Sequence, residues 1–486
     1  MSHQNQASFE EGKDYSLGQK ESPAEEEQSV ESTQQVPPAP AGWSRLKWLG
    51  PGFLWMLSSA GSGELLFTPR IASLYGYTLL WALLLAVALK WFINREVGRF
   101  AVCTGATMLE GFKELPGPKN WAVWLILVPQ LFVAVSTVAG MSGAAATALI
   151  LLTGGTVQMW MIIIVLVTVS IVLLGQYDKI DKAASYLAIL LTVAVLVTAI
   201  SVLPNLSNLA AGLVPQVPPD VNYTEILPWL GFMLAGAAGL MWYSYWVDAR
   251  GYGASQIQGK RGEASQNQPI RPKLLDQESR DRLKSWVSVM SFSNTLAVLG
   301  SMTIALAFFI LGGELLRPEG LVPAESEIAN TLGRLLGDIW GTWGYWFMII
   351  AVFVTFCSTT LSVEDGFSRM FADGTNILLR GFGLRGNWIR EKYLRRFFLV
   401  VLLAALPIGV YLAFGKPVGL LQTAGAIEAA HIPVVTGLTL YLNHRFLPEE
   451  LKPSKFTFFA TATAGVFFAG FALVYLYQTF FAASGS

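Results

Sequence analysis

The chain has 486 residues, zero formal net charge, 53% hydrophobic and only 14% charged residues, and a mean hydropathy of +0.48. That balance excludes a soluble globular domain, and the neutral charge gives no reason to expect nucleic acid as a partner. Cys103 and Cys357 stand far apart and suggest neither a disulfide framework nor a metal-ligand spacing.

Residues 1–42 are rich in Gln, Glu, Ser and Pro and read as a disordered cytoplasmic tail, with no apolar core of a signal peptide. Residues 43–486 read as one all-α integral membrane domain. Eleven apolar runs follow, at about 50–70, 75–97, 121–148, 157–175, 183–203, 226–247, 285–312, 343–363, 396–414, 425–444 and 456–480, each near the ~20 residues a membrane helix requires. The first is interrupted by Gly61-Ser62-Gly63-Glu64, and the sixth carries Gly231, Gly236, Ala237, Ala238 and Gly239 at its centre. A pair of interrupted helices in corresponding positions points to a transport site between two structural repeats. Backbone leaves the helix at membrane depth only where protein or a cavity surrounds it.

Because five is odd, a second group of five spans enters the membrane from the side opposite to the first. Residues about 50–203 and about 226–444 therefore read as an inverted 5+5 repeat of the leucine-transporter type with broken helices one and six, and about 456–480 as an extra helix. Lys and Arg concentrate after the even-numbered runs, as in Arg250, Arg271, Lys273, Arg280, Arg282 and Lys284, whereas 203–224 holds none. The positive-inside rule then puts the N-terminus in the cytoplasm and the C-terminus outside. A bacterial plasma membrane is the expected location.

Gly50-Pro51-Gly52-Phe53-Leu54 at the start of the first run, the break after it, and Arg99-Phe100-Ala101-Val102-Cys103-Thr104-Gly105 after the second resemble the Nramp family of divalent-metal transporters, and the pattern of spans agrees from Gly50 to about Phe480. The resemblance implies a leucine-transporter-type fold and proton-coupled uptake of manganese, iron or similar ions. The site departs from the family pattern. Gly61 and Glu64 stand where the family has a ligating Asp and an Asn. In Ala238-Gly239-Leu240-Met241-Trp242-Tyr243 the methionine is kept as Met241, while the following Pro and His are replaced. Val138 and Met141 occupy positions of acidic residues on span three, and Gly425 falls near that of a Gln on span ten.

Glu64 is the strongest single candidate, since a carboxylate at membrane depth is costly and marks a functional position by default. With the backbone of Ala60, Gly61, Ser62 and Gly63, and with Ala238, Met241 and Tyr243 across the site, it forms the expected substrate-binding set. Glu64 and Met241 are its candidate metal ligands. Oxygen ligands suit Mg²⁺, Ca²⁺ or Mn²⁺, and the Met241 sulfur favours a transition metal such as Fe. The competing reading pairs Glu64 with Arg70 in an outer gate and leaves Met241 as core packing. Asp248 and Arg250 read as an interfacial pair, or Asp248 as part of an inner exit path. Glu428 and His431, one helical turn apart, read as a proton relay, a second cation contact, or a mutually satisfied pair. Glu364 and Asp365 are expected at a solvated cytoplasmic boundary, and Asn294 facing the site. Trp242, Tyr243, Tyr245 and Trp246 read as an interfacial belt or as the wall of an organic-cation pocket.

There is no phosphate-binding loop, nucleophile elbow or metalloprotease motif, so the chain reads as neither an ATP-driven pump nor an enzyme, with no cofactor. The leading expectation is a secondary transporter of divalent cations with a rebuilt site, in the lipid bilayer, with a coupling proton. A same-fold transporter of an amino acid or amine and a non-transporting sensor are the alternatives. Oligomeric state is not legible.

Overall fold

The structure is a computed structural model that describes residues 35–175, 177–219, 221–258, 269–384 and 386–479. The described residues contain helices and connecting turns but no strand. Nine helical runs are long and apolar enough to cross a bilayer, or ten if the bent pair Tyr186–Ser201 and Leu206–Gly212 is taken as one. One of the nine, Ala60–Thr104, has 45 residues. That is about 68 Å of helix, twice the hydrocarbon thickness. It turns at Gly76, whose φ of 59° suits a residue without a side chain, and so makes two crossings. With that division the described residues make eleven crossings, in an integral membrane protein with leucine-transporter-type architecture.

Span one runs from Gly50–Ser59 through a π-helical stretch, Ala60–Phe67, into Thr68–Tyr75. The interruption expected at Gly61-Ser62-Gly63-Glu64 therefore takes the form of a widened helix, not an extended gap. Span six is fully broken: Tyr223–Phe232 ends, Leu234 and Ala235 adopt φ of 54° and 70°, and Ala237–Ala249 begins again. The run Ile328–Gly381 is divided by a non-helical Gly341, so span eight begins after it. The first half of span six packs on span ten, Pro417–Phe446, and the second half on spans one and two. Span three, Trp121–Thr153, packs extensively on both span eight and span ten.

Glycines set these close approaches. A Cβ on Gly231 would lie 2.1 Å from the Gly425 carbonyl oxygen, and one on Gly63 would lie 2.8 Å from that of Phe232. The Arg99–Gly105 segment is structural. Arg99 pairs with Glu96 at 2.8 Å and donates to the Leu451 carbonyl, Asn443 holds the same Glu96, and Gly105 ends span two at a φ of 61°.

The expected tail corrects in part. Residues 1–34 lie outside the described residues, but Val36 and Pro37 are bound to the start of span seven, Gln277–Leu311. Val36 is fully buried, its N–H donates to Ser279, its carbonyl accepts from Arg282, and the Pro37 carbonyl accepts from Trp286. Sequence composition averages over the tail and misses a short apolar Val-Pro-Pro anchor.

Gly231→Val should abolish recovery of folded, monodisperse protein, because the clashing atom is backbone and cannot turn aside. Overpacking of this kind costs roughly 1–3 kcal/mol or more. Gly437→Ala, on the same span ten with open space at its Cβ position, should leave the size-exclusion profile unchanged.

Candidate functional site

The break in span six is the centre of the site. Non-glycine residues at positive φ cost on the order of 1–3 kcal/mol each, and the break also frees backbone groups that the bilayer cannot solvate. Three buried side chains meet them. Glu64 Oε1 accepts from the Leu234 N–H at 3.1 Å and from the Ser301 hydroxyl at 2.6 Å. The Lys90 ammonium donates to the carbonyls of Gly231 at 2.9 Å, Ala235 at 2.7 Å and Met233. Glu428 Oε2 accepts from the Ala238 N–H at 3.0 Å, at the positive end of the second half-helix, and from Gln130 at 3.3 Å. None of the three is more than 3% exposed.

Lys90 was missed by the sequence reading. The signal was present: a lysine inside the apolar run Leu80–Thr104 is as anomalous as Glu64 and marks a functional position for the same reason.

The expected substrate-binding residues divide. Glu64 reaches span six rather than Arg70. Gly61 and Gly63 serve close packing, with a Cβ on Gly61 meeting the Thr359 hydroxyl at 2.9 Å, and Ser62 is fully buried beside them. Ala60, at the head of the π-helical stretch, is half-buried. Ala238 contributes its N–H to Glu428. Met241 and Tyr243 are fully buried below the break, Tyr243 against Trp55 with ring centroids 6.0 Å apart. Neither lines the pocket beside the break. That pocket is walled by Thr137 and Met141 of span three, Phe232, Ala235, Gly236, Gly239 and Trp242 of span six, Val363 and Phe367 of span eight, and Glu428 of span ten. Trp242 thus faces the pocket where an interfacial position was one of the two readings.

Glu428 and His431 do not bond to each other. Gln130 lies between them, its Nε2 3.3 Å from Glu428 Oε2 and 3.1 Å from His431 Nδ1. Asn294 faces span two instead of the site, accepting from Asn94 at 2.8 Å.

At one end of the bundle Arg70 makes a two-pronged pair with Glu225, both contacts 2.8 Å, and donates to the Pro323 carbonyl. This ties those ends of spans one and six to the loop before span eight. At the opposite end, Thr107 caps the short helix Met108–Lys113 with Glu110, while Tyr245 and Thr107 both donate to Asp373, at 2.6 and 3.1 Å. Asp248 adds its charge to this acidic group. Arg250 turns away to the Lys47 carbonyl, so the two make no interfacial pair. Glu364 corrects the sequence reading. It is fully buried and accepts from Thr168 of span four at 2.8 Å, because its helix continues well past it to Gly381. Asp365, one residue on, does pair with basic residues, Arg369 at 2.9 Å and Arg395.

Two outcomes follow from these ends. Arg70→Gln should raise, several-fold, the labelling rate of a cysteine placed at Ser73 by a membrane-impermeant maleimide, since the Arg70–Glu225 tie is lost. Burial, and then the Asp373 carboxylate, raise the Glu110 carboxyl from the ordinary 4.5 to about 8. A raised acid stabilises the fold fully below its unfolded value and less as pH rises through its folded one. Thermal stability should therefore decline between pH 4.5 and about 8, and Glu110→Gln should flatten that decline in a melting series.

Comparison with known proteins gives a consistent result. The Natural resistance-associated macrophage protein-like family matches residues 52–478. An uncharacterised Pasteurella multocida protein is 25% identical over 425 residues, covering 85% of this chain and 88% of its own length. The metal transporter Nramp3 of Oryza sativa is 24% identical over 340 residues, covering 69% of this chain and 58% of its own. Among solved structures, the manganese transporter of Eremococcus coleocola superposes with a TM-score of 0.66 at 15% identity, covering 93% of this chain and 91% of that one. At that identity the likeness concerns the fold alone. The family match covers most of the chain, and the protein belongs to the Nramp family, a multi-pass membrane transporter and not an enzyme.

Proposed function

We propose that the protein is a secondary transporter of a divalent metal cation whose binding site has been rebuilt. The observation that carries this reading is a carboxylate, Glu428, lining a pocket beside a broken span six in an Nramp chain. Glu428 brings negative charge, Thr137 a hydroxyl and Met141 a thioether to that pocket, a mixed oxygen and sulfur set that suits a borderline ion such as Mn²⁺ or Fe²⁺ more than Ca²⁺. The relatives named for metal transport support the cargo class. Glu64 acts here by fixing Leu234, so that the pocket keeps its shape. Gln130 and His431 stand beside Glu428 and form the candidate route for a coupling proton. The membrane is bacterial and plasma, with the N-terminus inside and the C-terminus outside, as the Lys and Arg distribution supports.

The aromatic wall of Phe232, Trp242 and Phe367 favours one second reading, a small organic cation. A carboxylate solute is disfavoured, since Glu428 already occupies the positive end of the half-helix.

Uptake of Mn²⁺, Mg²⁺ and Ca²⁺ into proteoliposomes, with and without an inward pH gradient, tests the proposal. Saturable Mn²⁺ uptake is expected, reduced roughly tenfold or more in Glu428→Gln, as when a partner is removed from a metal site. His431→Gln should lose the gradient dependence while retaining exchange of Mn²⁺ across the membrane. Uptake of a quaternary amine but of no metal would select the second reading, and no flux in folded protein would reject both.

A further inference from the structure

Lys90 stands outside the pocket and has no role in the cation-binding scheme, yet it is the most completely enclosed ionic group of the break, with 0% exposure. Its Nζ lies within hydrogen-bond reach of three carbonyls, those of Gly231, Met233 and Ala235. Three acceptors require three N–H donors. An ammonium has them, whereas a neutral amine would turn its lone pair on one of the oxygens. These carbonyls are orphans of the fold: the end of Tyr223–Phe232 leaves its last carbonyls without helical partners, and Ala235 lies inside the break. The face of Phe468 closes another side at 5.4 Å. Glu64 and Glu428 are the carboxylates whose charge acts on it. Ringed carbonyl oxygens with nearby negative charge are the setting in which proteins hold a dehydrated monovalent cation.

We propose that the span-six break forms a monovalent-cation site and that Lys90 fills it as a built-in cation. The ammonium is tethered to span two by its own stem, so the break keeps its conformation without an ion from solution, and this charge cannot leave with the cargo. Cargo uses the separate pocket on the Glu428 side. The proposal goes beyond the metal-transport reading and stands or falls independently of it, because its test reads binding and stability, not flux.

The experiment is thermal unfolding of purified full-length protein titrated with potassium, sodium or methylammonium chloride, with N-methyl-D-glucamine chloride holding ionic strength constant. Wild type should be indifferent to the cation. Lys90→Ala opens space for stem and head group, and should melt several degrees lower in N-methyl-D-glucamine and recover a large part of the loss, saturably, in one of the small cations. Lys90→Met fills the stem volume without the charge, and should melt low and recover nothing. Wild-type stability in Lys90→Met would overturn the proposal, since the charge would then be dispensable. So would failure of every small cation to stabilise Lys90→Ala, whether that variant is recovered folded or only as aggregate.

Discussion

The break in span six depends on charge compensation in a place water does not reach. Its backbone presents carbonyls on one side and N–H groups on the other. Lys90 meets the carbonyls of Gly231, Met233 and Ala235, and Glu64 and Glu428 meet the N–H groups of Leu234 and Ala238. Each side chain would be costly to bury alone. Together with the backbone they form a network in which removing one charge leaves the others uncompensated. Because the three come from spans one, two and ten, the network also fixes how those helices sit around the sixth.

The rest of the bundle is arranged to serve this break. Close packing at Gly63, Gly231 and Gly425 lets spans one and ten approach it at backbone distance. Arg70 and Glu225 draw one pair of ends of spans one and six together, and at the opposite end the helix after span two meets span six through Thr107, Tyr245 and Asp373. These ties are polar contacts at the two ends of a packed core, which can exchange partners without repacking the centre.

The same geometry gives other contacts to the positions where the resemblance implies ligands. Where the resemblance implies an Asp, Gly61 lets span one press against Thr359 of span eight. Where it implies an Asn, Glu64 bonds to the span-six backbone and to Ser301. The carboxylate that lines the pocket comes instead from span ten, with Met141 of span three on the wall where the family carries an acid.

Hydropathy and glycine placement in the chain were enough to mark the membrane class, the succession of spans and the sixth helix as a broken one, because bilayer length and backbone freedom are local properties. Glu64 and Glu428 could be singled out as costly charges for the same reason, and Lys90 could have been. Their partners could not. Lys90 meets Gly231 across 141 residues of sequence, and Glu428 meets Ala238 across 190. Arg70 chose Glu225 over Glu64, Glu364 turned into the core, and Val36 and Pro37 lay down on span seven. Each of these outcomes is a distance between helices packed side by side, and helix packing is fixed by the whole set of contacts, not by any one segment.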